Sequence, residues 1–255
     1  MDAKRIVVKV GSSTLTGDAG TSLNGSAVTK LVDVVANLKG QGKEVIIVTS
    51  AAIAAGMAPL GLTQRPTDLA TQQALASVGQ GLLIAKYSAE FTRHNIVASQ
   101  VLVTGDDLAR DLHKENAKRT LLRLLELGVV PIINENDSVG TEEIRLGDND
   151  RLAALVLQLI GADLLVLVSD IDALYDAPPT QAGANRIAKV TNFADLADIE
   201  IGGVGSSGVG SGGMVTKIQA AEIATSSGAR MLLTDLAHVE DALAGKDVGT
   251  LFTSN

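Results

Sequence analysis

The sequence predicts an α/β protein, a three-layer α/β/α sandwich built on a mainly parallel central sheet. Short β-branched runs alternate with longer stretches of helical period, which is the pattern of βαβ units. Hydrophobic residues make up 46% of the chain and aromatic residues only 2%. Ala, Val, Leu and Ile must therefore form a core of buried strands and closely packed helices. For a chain of 255 residues we expect one domain, covering residues 1–255.

The β-branched runs predict five strands and two weaker candidates. The five strands are residues 6–10, 44–49, 97–103, 129–133 and 164–168, and the weaker ones are 231–233 and 250–252. Apolar residues at helical spacing predict helices near residues 27–38, 108–127 and 152–160. Gly40 and Gly42 are expected to end the first of these helices.

Composition and charge exclude several classes of function. The net charge of -8 and the pI near 4.9 argue against nucleic acid as a partner, because phosphate backbones require a basic face. The absence of cysteine excludes disulfides and thiolate chemistry. His94, His113 and His238 lie far apart in the sequence, so we expect surface side chains rather than metal ligands. We find no signal-peptide pattern and no apolar segment of membrane-span length, and we expect a cytoplasmic protein without a membrane partner.

The first two strands end in residues that are suited to binding an anion. Parallel sheets bind ligands at the carboxyl ends of their strands. The first strand carries Lys9 and is followed by Gly11, Ser12 and Ser13, whose backbone N–H groups could bind phosphate. Ser50 follows the second strand and leads into an Ala-rich helix start. The alternatives are an ordinary strand-to-loop turn and an ordinary Ser N-cap.

An acidic segment follows the fourth predicted strand. Its carboxylates and amides are Asn134, Glu135, Asn136, Asp137, Glu142, Glu143, Asp148, Asn149 and Asp150. Such a run can be a solvated loop. Here it joins a buried strand to a buried helix, so part of it must lie over the ligand-binding edge of the sheet. Carboxylates with amides recognise an ammonium group well, which favours an amino acid as the ligand.

A glycine-rich segment, residues 202–213, precedes a helix that carries Lys217. Its composition is also typical of a linker. Glycines at a helix N-terminus beside a lysine can hold transferring phosphates. The chain thus offers two lysines and glycine-lined anion sites but no Ser–His pair, which favours phosphoryl transfer. A carboxylate acceptor with a pKa near 4.3 would need no general base.

With their order and strand-end positions, the motifs VVKVGSS, IVTSAAIAAG, PIINEND, IRLGDND, SDIDALY and GSGGMVTK make the chain resemble the amino acid kinase family from about residue 6 to 252. The NEND and GDND pair points to the branch that acts on glutamate, over the uridylate, carbamate and aspartate branches. The resemblance implies transfer of the ATP γ-phosphate to the side-chain carboxylate of L-glutamate. The product, L-glutamyl 5-phosphate, begins proline biosynthesis. Mg²⁺ would accompany ATP without a dedicated protein site.

The resemblance also implies residue roles. Lys9 and Lys217 would stabilise the transferring phosphoryl group from two sides, and Asp150 would orient both lysines. The ATP-binding residues would be Lys9, Gly11, Ser12, Ser13, Ser169, Asp170, Ser211, Gly212, Gly213, Met214 and Lys217. The glutamate-binding residues would be Ser50, Ala51, Asn134, Asp137, Asp148 and Asn149.

Two departures from the family pattern leave other hypotheses open. The family usually has glycine at the position of Ala51, where a left-handed backbone would strain an alanine. Many relatives carry a C-terminal domain of an RNA-binding type, and we expect this chain to lack it, whether naturally or by truncation. The resemblance further implies L-proline as a feedback inhibitor and a homo-oligomer. The alternatives are another kinase branch with a different carboxylate or phosphate acceptor, and a non-catalytic amino-acid or nucleotide sensor.

Overall fold

The structure is a computed structural model that describes residues 2–17, 20–140, 149–181, 183–196 and 213–254. Its strands are β1 (Arg5–Val10), β2 (Glu44–Val48), β3 (Ala98–Val103), β4 (Val130–Glu135), β5 (Leu164–Ser169), β6 (Leu174–Tyr175), β7 (Arg186–Ile187), β8 (Lys189–Val190), β9 (Arg230–Asp235) and β10 (Thr250–Phe252). Its α-helices are α1 (Ser12–Leu15), α2 (Gly25–Gly40), α3 (Ala52–Met57), α4 (Leu69–Thr92), α5 (Gly105–Ala109), α6 (Asp111–Glu126), α7 (Asp150–Ile160), α8 (Met214–Ser226) and α9 (Val239–Leu243). Two short 3₁₀ turns cover Ala58–Leu60 and Phe193–Leu196.

An eight-stranded sheet runs through the described part of the chain in the order β3, β4, β2, β1, β5, β9, β10, β8. Its pairs are parallel except that between β9 and β10. The separate pair of β6 and β7 is antiparallel. The predicted α/β fold with a mainly parallel sheet is therefore confirmed.

Helices cover both faces of the sheet. Alternate strand residues, such as Val8 and Ile47, pack with α2, α3, α4 and α9 into one apolar cluster. Their neighbours, such as Val7 and Ile46, pack with α6, α7 and α8 into the other. Strands buried on both faces read as continuous apolar runs, which explains why VVKV and EVIIV carry almost no alternation.

Helix α2 follows its predicted pattern. The Oδ1 atom of Asn24 accepts a hydrogen bond from the backbone N–H of Ala27 at 3.2 Å and so caps the helix. The predicted apolar face is buried against the sheet. The helix ends at Gly40, and Gly42 has a φ of 79°, the left-handed conformation that glycine adopts without strain.

Other predicted boundaries were wrong in informative ways. The helix expected over residues 108–127 is two helices, because Thr104 and Asp107 form a capping box that starts α5 and Arg110 is extended between α5 and α6. The predicted strands ended too early at 133 and 233, since backbone pairing with β3 and β5 continues through polar residues to Glu135 and Asp235. Strands β2 and β3 differ from prediction by one residue each.

The 24-residue helix α4 was not predicted, although Asp68 caps it by accepting a hydrogen bond from Thr71. It packs unusually close to α3. A Cβ atom on Gly79 would lie 1.8 Å from the carbonyl oxygen of Ala52, and one on Gly56 would lie 2.1 Å from that of Leu75. Only glycine allows this approach, which fixes α4 beside the turn between β2 and α3.

Candidate active site

Three charged side chains meet at the carboxyl end of the sheet. Lys9 lies on β1, Asp150 is the first residue of α7, and Lys217 lies in the first turns of α8. The Nζ atom of Lys9 is 2.6 Å from Oδ1 of Asp150, and that of Lys217 is 3.1 Å from Oδ2. The exposed fractions are 4% for Lys9, 1% for Asp150 and 6% for Lys217, so these pairs form away from bulk water.

Local structure explains why these residues converge. Strand β1 places Lys9 at its carboxyl end beside β5, and α7 starts at Asp150, where a carboxylate is favoured by the positive end of the helix dipole. Gly213 is the N-cap of α8, as the sequence indicated, and Lys217 follows within the helix. The three side chains together carry a formal charge of +1, which favours an anion near them.

A chain of amides lies next to this cluster. The Nδ2 atom of Asn149 donates to the backbone carbonyl of Thr49 at 2.5 Å and to Oδ1 of Asn134 at 2.8 Å. The Nδ2 atom of Asn134 donates in turn to Oε1 of Gln80 at 2.8 Å. The hydroxyl of Tyr87 lies 3.0 Å from Oγ1 of Thr49. This network joins the ends of β2 and β4 to the start of α7 and to α4.

Ala51 has a left-handed backbone, with φ of 79° and ψ of 11°. It is also the N-cap residue of α3, and no side chain caps that helix. The alternative of an ordinary cap by Ser50 was therefore wrong. Ser50 is buried just before the turn. Because β1 and β2 are parallel, with Lys9 opposite Val48, the turn lies at the same edge of the sheet as Lys9.

Asp137 follows β4 and is partly buried. Burial raises the pKa of Asp137 to about 6, and the positive charge of Arg65 opposes that rise. Among the described residues, Asp137 has no hydrogen bond to the amide chain. The structure thus brings Asn134 and Asn149 into contact.

The predicted nucleotide-binding residues lie at the ends of β1 and β5. Gly11, Ser12 and Ser13 are partly buried at the start of α1, and a Cβ atom on Gly11 would lie 3.6 Å from Nζ of Lys9. Ser169 is buried, and its hydroxyl donates to Oδ1 of the exposed Asp170 at 3.0 Å.

Gly213 and Met214 open α8, whereas Asp148, Ser211 and Gly212, like the glycine-rich segment 202–212, lie outside the described residues. The roles assigned to all these residues stay predictions.

Sequence reasoning missed several members of the site. The hydroxyl of Thr216 lies 3.2 Å from Oδ2 of Asp150, next to Lys217. Its position one residue before a candidate lysine was a signal. Gln80 and Tyr87 lie on α4, the helix that was not predicted, so no sequence signal placed them near Thr49 and Asn134.

The described residues contain no cluster of three or more His, Asp or Glu side chains arranged to hold a metal. Each histidine instead lies beside an aspartate, at 2.7 Å for His94 with Asp33 and at 2.9 Å for His113 with Asp107. His238 lies 2.8 Å from Asp235. No helix in the described part of the chain has the length and hydropathy of a membrane span.

The sequence matches a known protein family over most of its length. The model of the amino acid kinase family matches residues 4–235, which is most of the chain. The chain belongs to the amino acid kinase family. Lys9, Asp150 and Lys217 all lie within the matched range of this kinase family, as does the amide chain.

Two similar relatives of this kinase chain carry the same name. The glutamate 5-kinase of Streptomyces coelicolor is 57% identical, with 98% of this chain and 67% of the relative aligned. The glutamate 5-kinase of Clavibacter michiganensis subsp. michiganensis is 54% identical, with 98% of this chain and 94% of the relative aligned. The kinase chain therefore spans very different shares of these two relatives.

Solved structures agree on the kinase fold. The carbamate kinase from Giardia lamblia bound to AMP-PNP aligns over 99% of both chains with a TM-score of 0.68 and 16% identity. The UMP kinase from Bacillus anthracis aligns over 99% of this chain and 97% of the other, with a TM-score of 0.66 and 14% identity. At these identities the likeness concerns the fold alone.

Proposed function

We propose that this chain is an ATP-dependent glutamate 5-kinase, which transfers the γ-phosphate of ATP to the side-chain carboxylate of L-glutamate. The observation that carries the proposal is the buried group of Lys9, Asp150 and Lys217 at the carboxyl end of the sheet. Relatives named glutamate 5-kinase share more than half of its residues over 98% of its length. Identity at that level supports glutamate over the acceptors of the family's other branches.

The site can assist phosphoryl transfer without a general base. The acceptor carboxylate has a pKa near 4.3 and is ionised at neutral pH, so no proton must be removed before it attacks. The main requirements are in-line positioning and cations around the transferring group. Lys9 and Lys217 supply the cations from two different elements, and Asp150 holds both through its two carboxylate oxygens.

The remaining donors fit ATP and the amino acid. Gly11, Ser12 and Ser13 offer backbone and hydroxyl donors to phosphate oxygens beside Lys9, and a side chain on Gly11 would occupy space next to its amino group. Asn134 and Asn149, with the turn at Ala51, would bind glutamate together with Asp137, whose charge would face the ammonium group.

Mg²⁺ would be held by the ATP phosphates and by water. Both oxygens of Asp150 already face lysines, and the described residues form no metal cluster. A metal that accompanies a nucleotide commonly takes most of its ligands from phosphate and water. Its contribution would be to neutralise charge on the phosphates.

L-Proline shares the carboxylate and cationic amine of glutamate but has no acceptor carboxylate, so it would inhibit by competing at an overlapping site. Inhibition that glutamate does not relieve would contradict that overlap.

We further propose a cytoplasmic homo-oligomer in which residues 1–255 act as one kinase domain, without nucleic acid as a partner.

The proposed function is tested by measuring ADP release with each candidate acceptor in turn. The panel is glutamate, aspartate, N-acetylglutamate, carbamate and uridylate, each with ATP and Mg²⁺. We expect kcat/KM for glutamate to exceed every other value by at least about 100-fold, because a site that hydrogen-bonds one substrate rejects analogues that leave its polar groups unpaired. Preference for another acceptor would assign the chain to another branch. Binding of glutamate without ADP release would favour the sensor hypothesis, which the strained turn at Ala51 motivates.

A further inference from the structure

We infer that Gln80 on α4 is a positioning residue for glutamate recognition, which acts by holding the side-chain amide of Asn134. The inference rests on the proposed function, because its readout is the affinity for glutamate. It concerns a residue that reaches the site from a helix far from it in sequence, 54 positions before Asn134.

The backbone carbonyl of Thr49 determines the direction of every hydrogen bond in the amide chain. The backbone carbonyl of Thr49 can only accept, so the atom of Asn149 that faces it at 2.5 Å must be the Nδ2 donor. The same donor also faces Asn134, which must therefore present its Oδ1 atom. Asn134 is left with its Nδ2 atom facing Gln80, which must present Oε1.

This order gives the two atoms of the Gln80 amide different roles. Oε1 accepts from Asn134 at 2.8 Å. Nε2 is inaccessible to solvent and has no acceptor among the described residues. A buried donor without a partner costs free energy, so the amide does not serve stability through Nε2. Within the amide chain, Gln80 therefore acts through Oε1.

The backbone around Gln80 is held rigidly enough to position another side chain. The preceding residue, Gly79, packs against α3 so closely that a Cβ atom would lie 1.8 Å from the carbonyl oxygen of Ala52. One face of α4 also carries Tyr87, seven residues later, whose hydroxyl contacts Thr49. Helix α4 therefore supports both ends of the amide chain.

Loss of Oε1 would leave Asn134 without its only acceptor on α4 and free its amide to turn. The side-chain amide of Asn149 would then lose one of the two acceptors it has among the described residues. Because both asparagines are proposed to bind glutamate, the change should weaken glutamate binding while leaving the lysines in place. ATP binding and the chemical step should be less affected, since Asp150 pairs with both Lys9 and Lys217 independently of Gln80.

Two variants of the same size test the inference. Gln80→Met removes the acceptor and keeps an unbranched side chain of similar volume. Gln80→Glu keeps an acceptor oxygen at the same place, and in the neutral form that burial favours, an O–H group replaces the unpartnered N–H₂ donor. Gln158→Met is the control, because Gln158 donates to a carbonyl oxygen, that of Ile223, on the opposite face of the sheet.

The measurements are kcat, KM for each substrate, and the dissociation constant of glutamate by calorimetry. We expect Gln80→Met to raise the dissociation constant and KM of glutamate about tenfold, with kcat within about threefold and KM for ATP unchanged. Gln80→Glu and Gln158→Met should remain within about threefold of the parent in every value. The thermal midpoint of each variant is recorded to compare folding.

Three results would overturn the inference. Parent-like glutamate affinity in Gln80→Met would show that Oε1 is not needed. Equal weakening in Gln80→Glu, which keeps an acceptor oxygen, would show that acceptance by Oε1 does not position Asn134. A parallel fall in kcat, in both affinities and in the thermal midpoint would indicate a purely structural residue. A parent protein that neither binds nor phosphorylates glutamate would contradict the proposed function itself, which separates the two failures.

Discussion

Asp150 is the residue on which the geometry of the site depends, since each of its carboxylate oxygens faces a different lysine. Removing one partner of such a buried group leaves an uncompensated charge and typically costs about 3–5 kcal/mol, more than the pair contributes. Sequence reasoning identified all three members from strand-end positions and family motifs. It could not give their distances, because these depend on how α7 and α8 pack.

The lysines should act on the transition state more than on binding. Lys9→Ala and Lys217→Ala should each lower kcat by at least about 100-fold, the scale expected when a pre-organised charge is lost, with a smaller change in KM. Steady-state kinetics of both variants measure this. Lys246→Ala is the control, since that lysine pairs with Asp241 on an exposed surface. Near-normal kcat in either variant would remove the mechanism.

The left-handed backbone of Ala51 is strained, and glycine would adopt it without that strain. The left-handed region costs a residue with a Cβ atom about 1–2 kcal/mol, partly offset by the greater freedom of glycine in the unfolded chain, about 0.5–1 kcal/mol. Ala51→Gly should therefore raise the free energy of unfolding by about 0.5–1 kcal/mol, measured by urea denaturation. It should change kcat/KM for glutamate moderately, if at all. An inactive parent with an active glycine variant would instead favour the sensor hypothesis.

The raised pKa of Asp137 predicts a pH dependence of substrate binding. A bound ammonium group needs the ionised carboxylate, which is lost as the pH falls through about 6. Glutamate keeps its own carboxylates ionised there, with a side-chain pKa near 4.3. KM for glutamate should therefore rise between pH 7.5 and pH 5.5 while KM for ATP stays constant. Asp137→Asn should have a high KM that no longer varies over this range; retained pH dependence would assign it to another group.

Helices α3 and α4 form the element on which substrate positioning depends, because their close contact supports the turn at Ala51 and the amide chain. Sequence patterns gave the strands well, since buried parallel strands are short β-branched runs. They missed α4, whose glycines and small polar residues weaken both helix propensity and amphipathic periodicity. Gly79 is required by the close approach of α3, a tertiary contact that local patterns cannot reveal.

The contact between α3 and α4 predicts opposite effects for two neighbouring glycines. Gly79→Ala should lower the free energy of unfolding by at least about 1–3 kcal/mol, because its Cβ atom would overlap the backbone of Ala52. Gly81→Ala, the matched control in the same helix, meets no atom within 4 Å and should raise stability by about 0.5–1 kcal/mol. Chemical denaturation measures both. Equal effects would show that α3 and α4 are not in such close contact.

In the molecule as a whole, the central sheet positions the site, and the segments that follow its strands carry the functional side chains at one edge of the sheet. The order of the strands brings β1, β2, β4 and β5 side by side, so residues from four distant parts of the sequence meet at their carboxyl ends. The fold class followed from the composition and from the alternation of strand-like runs with helical stretches. The residue types at strand ends indicated phosphoryl transfer. The sequence analysis could say only that a left-handed backbone at Ala51 would be strained. It could not predict that conformation, since no sequence pattern fixes the backbone of one alanine.

The central claim is that glutamate receives the phosphoryl group on its side-chain carboxylate, and trapping the product tests it most directly. The chain is incubated with ATP, Mg²⁺, L-glutamate and hydroxylamine, which converts an acyl phosphate into a hydroxamate. We predict glutamyl γ-hydroxamate and ADP in equal amounts, with both formed at least about 100-fold more slowly by Lys217→Ala. ADP without hydroxamate, or a hydroxamate only when another carboxylate replaces glutamate, would contradict the account.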